Sequence, residues 1–327
     1  MSTAVEANKV SCRSTLQNLM SVSTPEPSSL PQVNSPGKST AVIGVDEAAA
    51  LSSLLPHRRV VIEPRKGWNP VDFRELWQYR ELLYFLIWKD LKVRYKQAVF
   101  GIAWVVMQPL VLTVTFTLFL GKLARVPSSG GPYALFALSG LVIWTFFSGA
   151  LTSSSISLTS NAHLITKVYF PRAIIPLAAI GARFIDFIIS FIILVALVIY
   201  YQIPITRSIL LLPVPLAVAL LLLTGLGLLL SAINVKYRDI GVAIPLLIQV
   251  WMFLSPIIYP VSLVPARYRI YYALNPLVGI IESFRAAVLS QAWDGPALAI
   301  ASAISLLILI ISVSVFRRME AVFADNV

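Results

Sequence analysis

Six long apolar segments constrain the fold of this 327-residue chain more than any other feature. Each is close to the roughly 20 residues that an α-helix needs to cross a bilayer. Only 13% of the residues are charged, against about 25% in soluble domains. Backbone polar groups in lipid must be satisfied within the segment, so these segments are predicted to be helices. The predicted fold class is an all-α polytopic membrane protein, with spans near residues 99–120, 134–155, 173–200, 208–232, 241–263 and 297–316.

The composition predicts four regions along the chain. Residues 1–66 are rich in Ser, Thr, Pro and Val and are predicted to be a disordered cytoplasmic leader, because they cannot bury enough apolar surface to offset ordering. Residues 67–97 are predicted to hold an amphipathic interface helix. Residues 98–318 form the predicted six-span domain, and residues 319–327 a cytoplasmic tail.

The amphipathic pattern of residues 67–97 predicts a helix in the plane of the lipid headgroups. Asp72 and Glu75 have the spacing of a capping-box-like start. A plain topology anchor is the alternative interpretation. The predicted apolar face holds Leu83, Tyr84, Ile87, Trp88, Leu91 and Tyr95.

Lysine and arginine are concentrated on one set of connections between the spans. The formal net charge is +11. Basic residues accumulate on cytoplasmic loops and near anionic headgroups, so membrane lipids rather than nucleic acid are the predicted partners of this charge. Both termini are predicted to be cytoplasmic. No basic stretch followed by a short apolar stretch opens the chain, so no cleavable signal peptide is expected.

The sequence lacks the residues that catalysis, metal binding or ATP binding would need. The single cysteine, Cys12, and the two histidines, His57 and His163, are far apart in sequence, so no metal site is predicted. The Gly37-Lys38-Ser39-Thr40 sequence has Gln32 where a phosphate-binding loop needs its first glycine. The chain is therefore predicted to be a non-enzyme without a cofactor of its own.

Polar and helix-breaking residues follow the fifth apolar segment at membrane depth. Among them, Asn275-Pro276 predicts a break in the helix, because proline disfavours helix at the residue before it and lacks an N–H donor. Irregular backbone at that depth is tolerated only where protein buries it or where it lines a water-filled path. A gate on the far side of the membrane is therefore predicted, and Arg285→Ala is expected to disturb gating or assembly more than insertion. The predicted gate residues are Pro256, Tyr259, Asn275, Pro276, Glu282 and Arg285, with Glu282 and Arg285 paired at i, i+3.

A polar path through the membrane is predicted around the third span. Arg183 and Asp186 share a helix face at i, i+3, and charges at such depth face the bundle interior or a cavity. The alternatives are a neutralised packing pair and an Arg183 side chain that snorkels toward the cytoplasmic headgroups. Trp104 and Trp144 are predicted to contribute to the path by stacking on sugar rings, with an interfacial aromatic belt as the alternative.

Several motifs in order resemble the polysaccharide-exporting branch of the type 2 ABC permeases, the membrane halves of O-antigen, capsule and teichoic acid exporters. The resemblance covers about residues 73–318. It rests on Trp88-Lys-Asp-Leu-Lys-Val-Arg94-Tyr95-Lys96, Gly101-x-x-Trp104, Gln108-Pro109, the loop from Asn161 through Phe170-Pro171-Arg172, Tyr237-Arg238-Asp239-Ile240, Leu254-Ser-Pro-Ile-Ile-Tyr-Pro260, and Leu274-Asn-Pro276 through Arg285.

The resemblance implies a homodimer in the bacterial inner membrane, with a channel between the two copies. Two copies of a separate ATPase subunit, carrying ATP and Mg, would dock on the cytoplasmic side, and residues 266–291 would re-enter the outer leaflet. The implied substrate is a polysaccharide on a polyprenyl diphosphate lipid. The implied ATPase-coupling residues are Lys89, Lys92, Arg94, Asn161, Lys167, Tyr169, Arg172, Tyr237, Arg238 and Asp239.

Three alternatives stay open at this point. A permease of the same superfamily that exports drugs or lipids would use the same architecture. An ion-coupled carrier would need an ion site, for which Asp186 is the only sequence candidate. A membrane scaffold would leave the polar residues of the predicted gate unexplained.

Overall fold

The computed structural model of the chain describes residues 77–96, 103–127, 131–167, 170–204 and 206–320, which belong to one compact unit, Gly67–Val327. The predictions for the leader, for a helix start at Asp72 and Glu75, and for Tyr169 lie outside these residues. Every regular element of the described part is helical. The α-helices are α1 (Arg80–Lys96), α2 (Ala103–Phe116), α3 (Tyr133–Ser155), α4 (Ser157–Ser160), α5 (Ala162–Lys167), α6 (Ile174–Tyr200), α7 (Pro213–Lys236), α8 (Asp239–Phe253), α9 (Arg269–Ala273), α10 (Pro276–Leu289) and α11 (Gly295–Glu320).

Five helical stretches of the described residues are long and apolar enough to cross a membrane. They confirm five of the six predicted segments. Two of them extend an α-helix: a π-helical turn prolongs α2 to Leu123, and a 3₁₀ turn from Arg207 precedes α7. The five stretches are Ala103–Leu123, Tyr133–Ser155, Ile174–Tyr200, Arg207–Lys236 and Gly295–Glu320.

The predicted segment 241–263 does not form one helix of that length. Helix α8 has 15 residues, about 22 Å at 1.5 Å per residue, short of the roughly 30 Å of a hydrocarbon core. It ends at Phe253, and turns follow from Leu254 to Tyr259. Pro256 and Pro260 explain the end, because proline lacks an N–H donor and disfavours helix at the residue before it.

Helix α3 lies at the centre of the bundle. Of its most apolar 18 residues 78% are buried, against 11% for the stretch that contains α2. Helix α3 packs against α6, α7 and α2, and α7 packs along α11. Leu141, Phe147 and Leu151 of α3 are almost fully buried in this core. Helix α2 is therefore peripheral within one chain and leaves an apolar face uncovered.

Helix α1 packs along the first half of α6. The helices approach closely at Gly181, where an added Cβ would lie 2.7 Å from Cδ1 of Ile87. Leu86 and Leu91 are buried in this contact. The absence of a side chain at Gly181 therefore fixes how near α1 lies to the third span.

The predicted apolar face of α1 is divided between the bundle and the outside of the chain. Tyr84 and Trp88 are exposed by 70% and 56%. The contact of Ile87 with Gly181 and the ion pair of Arg94 with Asp186 set the rotation of the helix. These contacts turn both rings away from the bundle, and the position of α1 in the headgroup plane stays a prediction.

Candidate functional site

Hydrogen bonds tie separate segments together at one end of the bundle, which we call the basic end. It comprises α4, α5, the start of α6, the turn between α7 and α8, and the end of α11. Lys89 Nζ donates to Oδ1 of Asn161 at 2.6 Å. Helix α1 is thereby joined to Asn161, which directly precedes α5 and is one of the predicted ATPase-coupling residues.

Asn234 joins the end of α3 to the first turn of α8. Its side chain is buried, and Nδ2 donates to the backbone oxygen of Ser155 at 3.1 Å. The backbone N–H of Gly241 donates to Oδ1 of Asn234 at 2.9 Å. One amide therefore holds the end of α3 and the first turn of α8 in a fixed relation.

Arg172 joins the start of α6 to the end of α11. Its guanidinium donates to the backbone oxygen of Glu320, and its backbone N–H donates to Oε1 of Glu320 at 3.4 Å. Arg172 therefore contributes to the framework of the basic end rather than to its outermost surface.

Other predicted coupling residues present charge outward from that framework. Tyr237 is 56% exposed, and Nζ of Lys236 lies 5.1 Å from the centre of its ring. A partner can reach these side chains without unfolding any element. The exposed predicted residues are Lys92, Lys167, Tyr237, Arg238 and Asp239.

A cleft of about 180 Å³ lies where α1, α2, α3 and α6 meet. Asp186 is its central carboxylate: Nη1 of Arg94 donates to Oδ2 at 2.6 Å, and the hydroxyl of Tyr95 donates to Oδ1. Arg183, the partner predicted from the sequence, lies farther away, with Nη1 3.6 Å from Oδ2. Nε of Arg183 instead donates to Oγ of Ser153 at 2.9 Å.

The hydroxyl of Tyr95 stays protonated at neutral pH. Burial, followed by the hydrogen bond to Asp186, raises the pKa of Tyr95 to about 12. Tyr95 therefore acts as a neutral donor, and α1 holds the third span through one charged and one neutral group.

The two tryptophans of the predicted path lie in different surroundings. Trp104 is 59% exposed and lines the cleft. Trp144 is 5% exposed and packs beside Phe147, with ring centroids 6.0 Å apart. Of these two tryptophans, Trp104 is the one that faces open space in a single chain.

Arg285 is fully buried at the opposite end of the bundle, which we call the gate end. It forms the pair predicted with Glu282, Nη1 to Oε1 at 2.6 Å. Its Nη2 donates to the backbone oxygens of Pro256 and Ile257 at 3.0 and 3.2 Å. The guanidinium also lies 3.8 Å from the ring centre of Phe136 in α3. Arg285 therefore holds the turn after α8 against α3 and α10.

Asn275 organises the start of α10. Its Oδ1 accepts from the backbone N–H of Leu277 at 3.1 Å, an N-cap bond, and from Nε1 of Trp251 at 3.0 Å. Its Nδ2 donates to the backbone oxygen of Leu254 at 3.0 Å. The predicted break before Pro276 is confirmed, and the same side chain fixes the end of α8.

Tyrosine hydroxyls add further contacts at the gate end. Tyr259 donates to the backbone oxygen of Phe253 at 2.8 Å, and Tyr272 donates to the hydroxyl of Tyr259 at 3.1 Å. Pro256 and Pro276 are buried. The predicted gate residues therefore lie in one contiguous group in a single chain.

Sequence reasoning missed the contacts that join distant segments. The bond of Arg94 to Asp186 spans 92 positions, and no periodicity reports such a pairing. The sequence did indicate a structural role for Asn234, because an amide side chain in an apolar helix must find hydrogen-bond partners when it is buried. Among the described residues no group of three His, Cys, Asp or Glu is placed to hold a metal ion.

Comparison with known proteins gives consistent matches. The sequence profile of the ABC-2 type transporter family matches residues 81–289. The chain is 29% identical over 258 residues to the O-antigen export system permease protein RfbA of Myxococcus xanthus, which covers 78% of this chain and 98% of that protein. It is 28% identical to RfbA of Klebsiella pneumoniae, over 75% of this chain and 94% of that protein. It is 24% identical to the polysialic acid transport protein KpsM of Escherichia coli, over 72% of this chain and 92% of that protein.

Proposed function

Since the chain belongs to the ABC-2 type transporter family, we propose that it is the membrane subunit of an ATP-driven exporter of polysaccharide. The cargo is a glycan carried on a polyprenyl diphosphate lipid. Permeases of this family work with ATPase subunits. In this proposal two ATPase subunits bind a homodimer of the chain in the bacterial inner membrane and supply ATP and Mg. The names of the relatives, O-antigen and polysialic acid transport proteins, support the polysaccharide assignment.

The tied framework of the basic end is the observation that carries the transport mechanism. Three contacts make up this network: Lys89 ties α1 to Asn161, Asn234 ties the end of α3 to the start of α8, and Arg172 ties the start of α6 to the end of α11. In this proposal a displacement of the exposed charged residues at the basic end is transmitted to α3, α6 and α11 through these bonds. An ATPase docked there thus has a mechanical connection to the spans.

The topology in this proposal has six spans with both termini on the cytoplasmic side. Helix α8 and the turns after it make the fifth crossing, and α9 and α10 return into the outer leaflet. Two features support the arrangement: α8 is too short to cross alone, and Arg285 buries the following turn within protein. Burial of that kind is what irregular backbone needs at membrane depth.

Apolar faces on α2 and α8 are exposed in a single chain and are available to the second copy of the proposed homodimer or to lipid. Val242 on α8 is 80% exposed, and Val114 on α2 is 58% exposed. In the proposed assembly these faces meet the second copy or lipid, and the channel lies between the copies.

The contacts of Asp186 count against an ion-coupled carrier. Its two carboxylate oxygens accept bonds from Arg94 and Tyr95, with Arg183 nearby. A coupling ion would have to displace two of these groups.

An exporter of drugs or lipids stays distinguishable by the cargo that accumulates when the chain is removed.

The experiment that tests the proposal combines a gene deletion with charge reversal. We expect cells without the chain to retain lipid-linked glycan inside and to lose it from the surface. The double variant Lys167→Glu/Arg238→Glu, on exposed sites of the basic end, is expected to give the same loss and to release the ATPase subunit during purification.

The matched control is Lys122→Glu/Arg267→Glu, which reverses two exposed charges away from the basic end. It is expected to keep export and ATPase binding. Surface glycan that persists without the ATPase subunit, but disappears when the proton gradient is collapsed, would instead select a carrier.

A further inference from the structure

The cleft at α1, α2, α3 and α6 has two walls of different chemistry. Arg94, Arg183 and Asp186 line one side, and Trp104 and Phe187 contribute apolar surface on another. A cleft of this kind suits a molecule with a charged head and an apolar body. Its polar wall specifies the charge of that head.

The charge balance of the cleft favours an anion. Two guanidinium groups face one carboxylate, which leaves one positive charge among the described lining residues. A guanidinium has five N–H donors. In the described part Arg94 commits Nη1 to Asp186, and Arg183 commits Nε to Ser153. Both side chains are about 30% exposed, at 28% and 32%, and therefore offer further donors to a ligand.

One end of the cleft lies at the level of a lipid headgroup. Trp104 lies one residue into the first span, which ends at Leu123. The distance along the helix is about 30 Å at 1.5 Å per residue, the thickness of a hydrocarbon core. The cleft therefore begins where the first span enters the hydrocarbon and extends inward to Phe146 and Phe187, near the middle of α3 and of α6.

We propose that this cleft binds the phosphate or diphosphate headgroup of a membrane lipid, with Arg94 and Arg183 as the donors. Guanidinium pairs phosphate with two parallel bonds in a fixed geometry. The headgroup competes with Asp186 for the arginines, and Tyr95 remains as a donor to the carboxylate. Because Arg94 belongs to α1, occupancy of the cleft loosens the link between α1 and the third span.

This inference rests on the proposed function, since it assigns a site to the lipid diphosphate of that substrate. The proposed function and the proposed headgroup site can be refuted independently. An ATP-driven exporter that carries its lipid elsewhere leaves the proposed function intact, whereas the cleft alone is tested by direct binding.

The test measures binding of farnesyl diphosphate to the purified complex with its ATPase subunits by calorimetry. Saturating Mg-ADP occupies the nucleotide sites. Inorganic diphosphate and farnesol are measured in parallel, because one carries only the head and the other only the chain. We expect farnesyl diphosphate to bind more tightly than either.

Three variants assign the binding to the cleft. Arg183→Gln is expected to weaken binding about tenfold, the effect of losing one charge-assisted hydrogen bond. Asp186→Asn is expected to strengthen it about tenfold, because it removes the competing negative charge. Lys122→Gln, which loses a charge at the far end of the first span, is the matched control and should bind as the unmodified complex does.

The strengthening by Asp186→Asn separates a ligand site from a structural clamp. A carboxylate that only held α1 in place would give weaker or unchanged binding when neutralised, and that result overturns the proposal. Equal affinity for inorganic diphosphate would assign the site to a free anion and reject the lipid headgroup. Equal affinity for farnesol would reject the role of the arginines.

Discussion

Replacement of Arg285 by methionine tests how the gate end is held together. Methionine keeps much of the length of the side chain and removes the charge. The change leaves the backbone oxygens of Pro256 and Ile257 without their donor, at positions where Nη2 now lies 3.0 and 3.2 Å away. It also leaves the carboxylate of Glu282 without its partner.

The expected loss follows from these contacts. A hydrogen bond that involves a charged group contributes about 1.5 kcal/mol or more, so two of them amount to about 3 kcal/mol. The side chain of Glu282 is 27% exposed, so water can solvate part of its charge and its added cost is smaller. A loss of about 3 kcal/mol lowers the melting temperature by about 4 °C for a chain of 327 residues, at about 2.1 cal/mol/K of unfolding entropy per residue.

Thermal unfolding of the purified complex, followed by size-exclusion chromatography, measures this effect. Arg285→Met/Glu282→Gln is expected to melt between the single variant and the unmodified protein, because the unpaired carboxylate is gone. Arg267→Met is the matched control, since Arg267 is exposed and contacts Tyr268, and a change within about 0.5 kcal/mol is expected. An Arg285→Met protein that melts within about 2 °C of the unmodified protein would refute the reasoning.

Three further substitutions test other close contacts, each by the same melting measurement. Gly140→Ala places a Cβ 2.8 Å from the backbone oxygen of Ile257 and is expected to cost about 1–3 kcal/mol, the range for overpacking; a neutral result would mean that the turn is free to move. Asn275→Ala removes the N-cap of α10 and is expected to cost about 1–2 kcal/mol, whereas Asn275→Asp, which keeps a capping oxygen, should lose less. Gly181→Ala crowds Ile87 and is expected to weaken the packing of α1 on α6 and to lower the melting temperature. The double variant Gly181→Ala/Ile87→Ala should recover part of this decrease, and equal melting temperatures of the single and double variants would contradict that contact.

The predictable part of the fold is the part set by composition and local chemistry. Apolar length placed five of the helices, because a span is defined by its own residues. Asn275-Pro276 predicted a helix break from local backbone chemistry, and the i, i+3 spacing of Glu282 and Arg285 predicted their pair. Each of these signals lies within a few residues of sequence.

The unpredicted part depends on contacts between distant residues. The pairing of Arg94 with Asp186 decides the rotation of α1 and leaves Tyr84 and Trp88 exposed. The hydrophobic pattern alone put both aromatic residues on the apolar face and did not indicate which residues of that face would contact the bundle. Arg285 illustrates the same limit, since its spacing predicted Glu282 but gave no sign of the backbone oxygens of the turn after α8.

The central claim is that the chain is the membrane subunit of a transporter whose energy comes from a separate ATPase subunit bound at the basic end. Mass measurement of the assembly purified in mild detergent, combined with an ATPase assay, tests it most directly. The account predicts two copies of the chain with two copies of an ATPase subunit, and hydrolysis that disappears with Lys167→Glu/Arg238→Glu but not with Lys122→Glu/Arg267→Glu. A chain that purifies without any ATPase subunit, from cells in which its export activity is intact, would contradict the account.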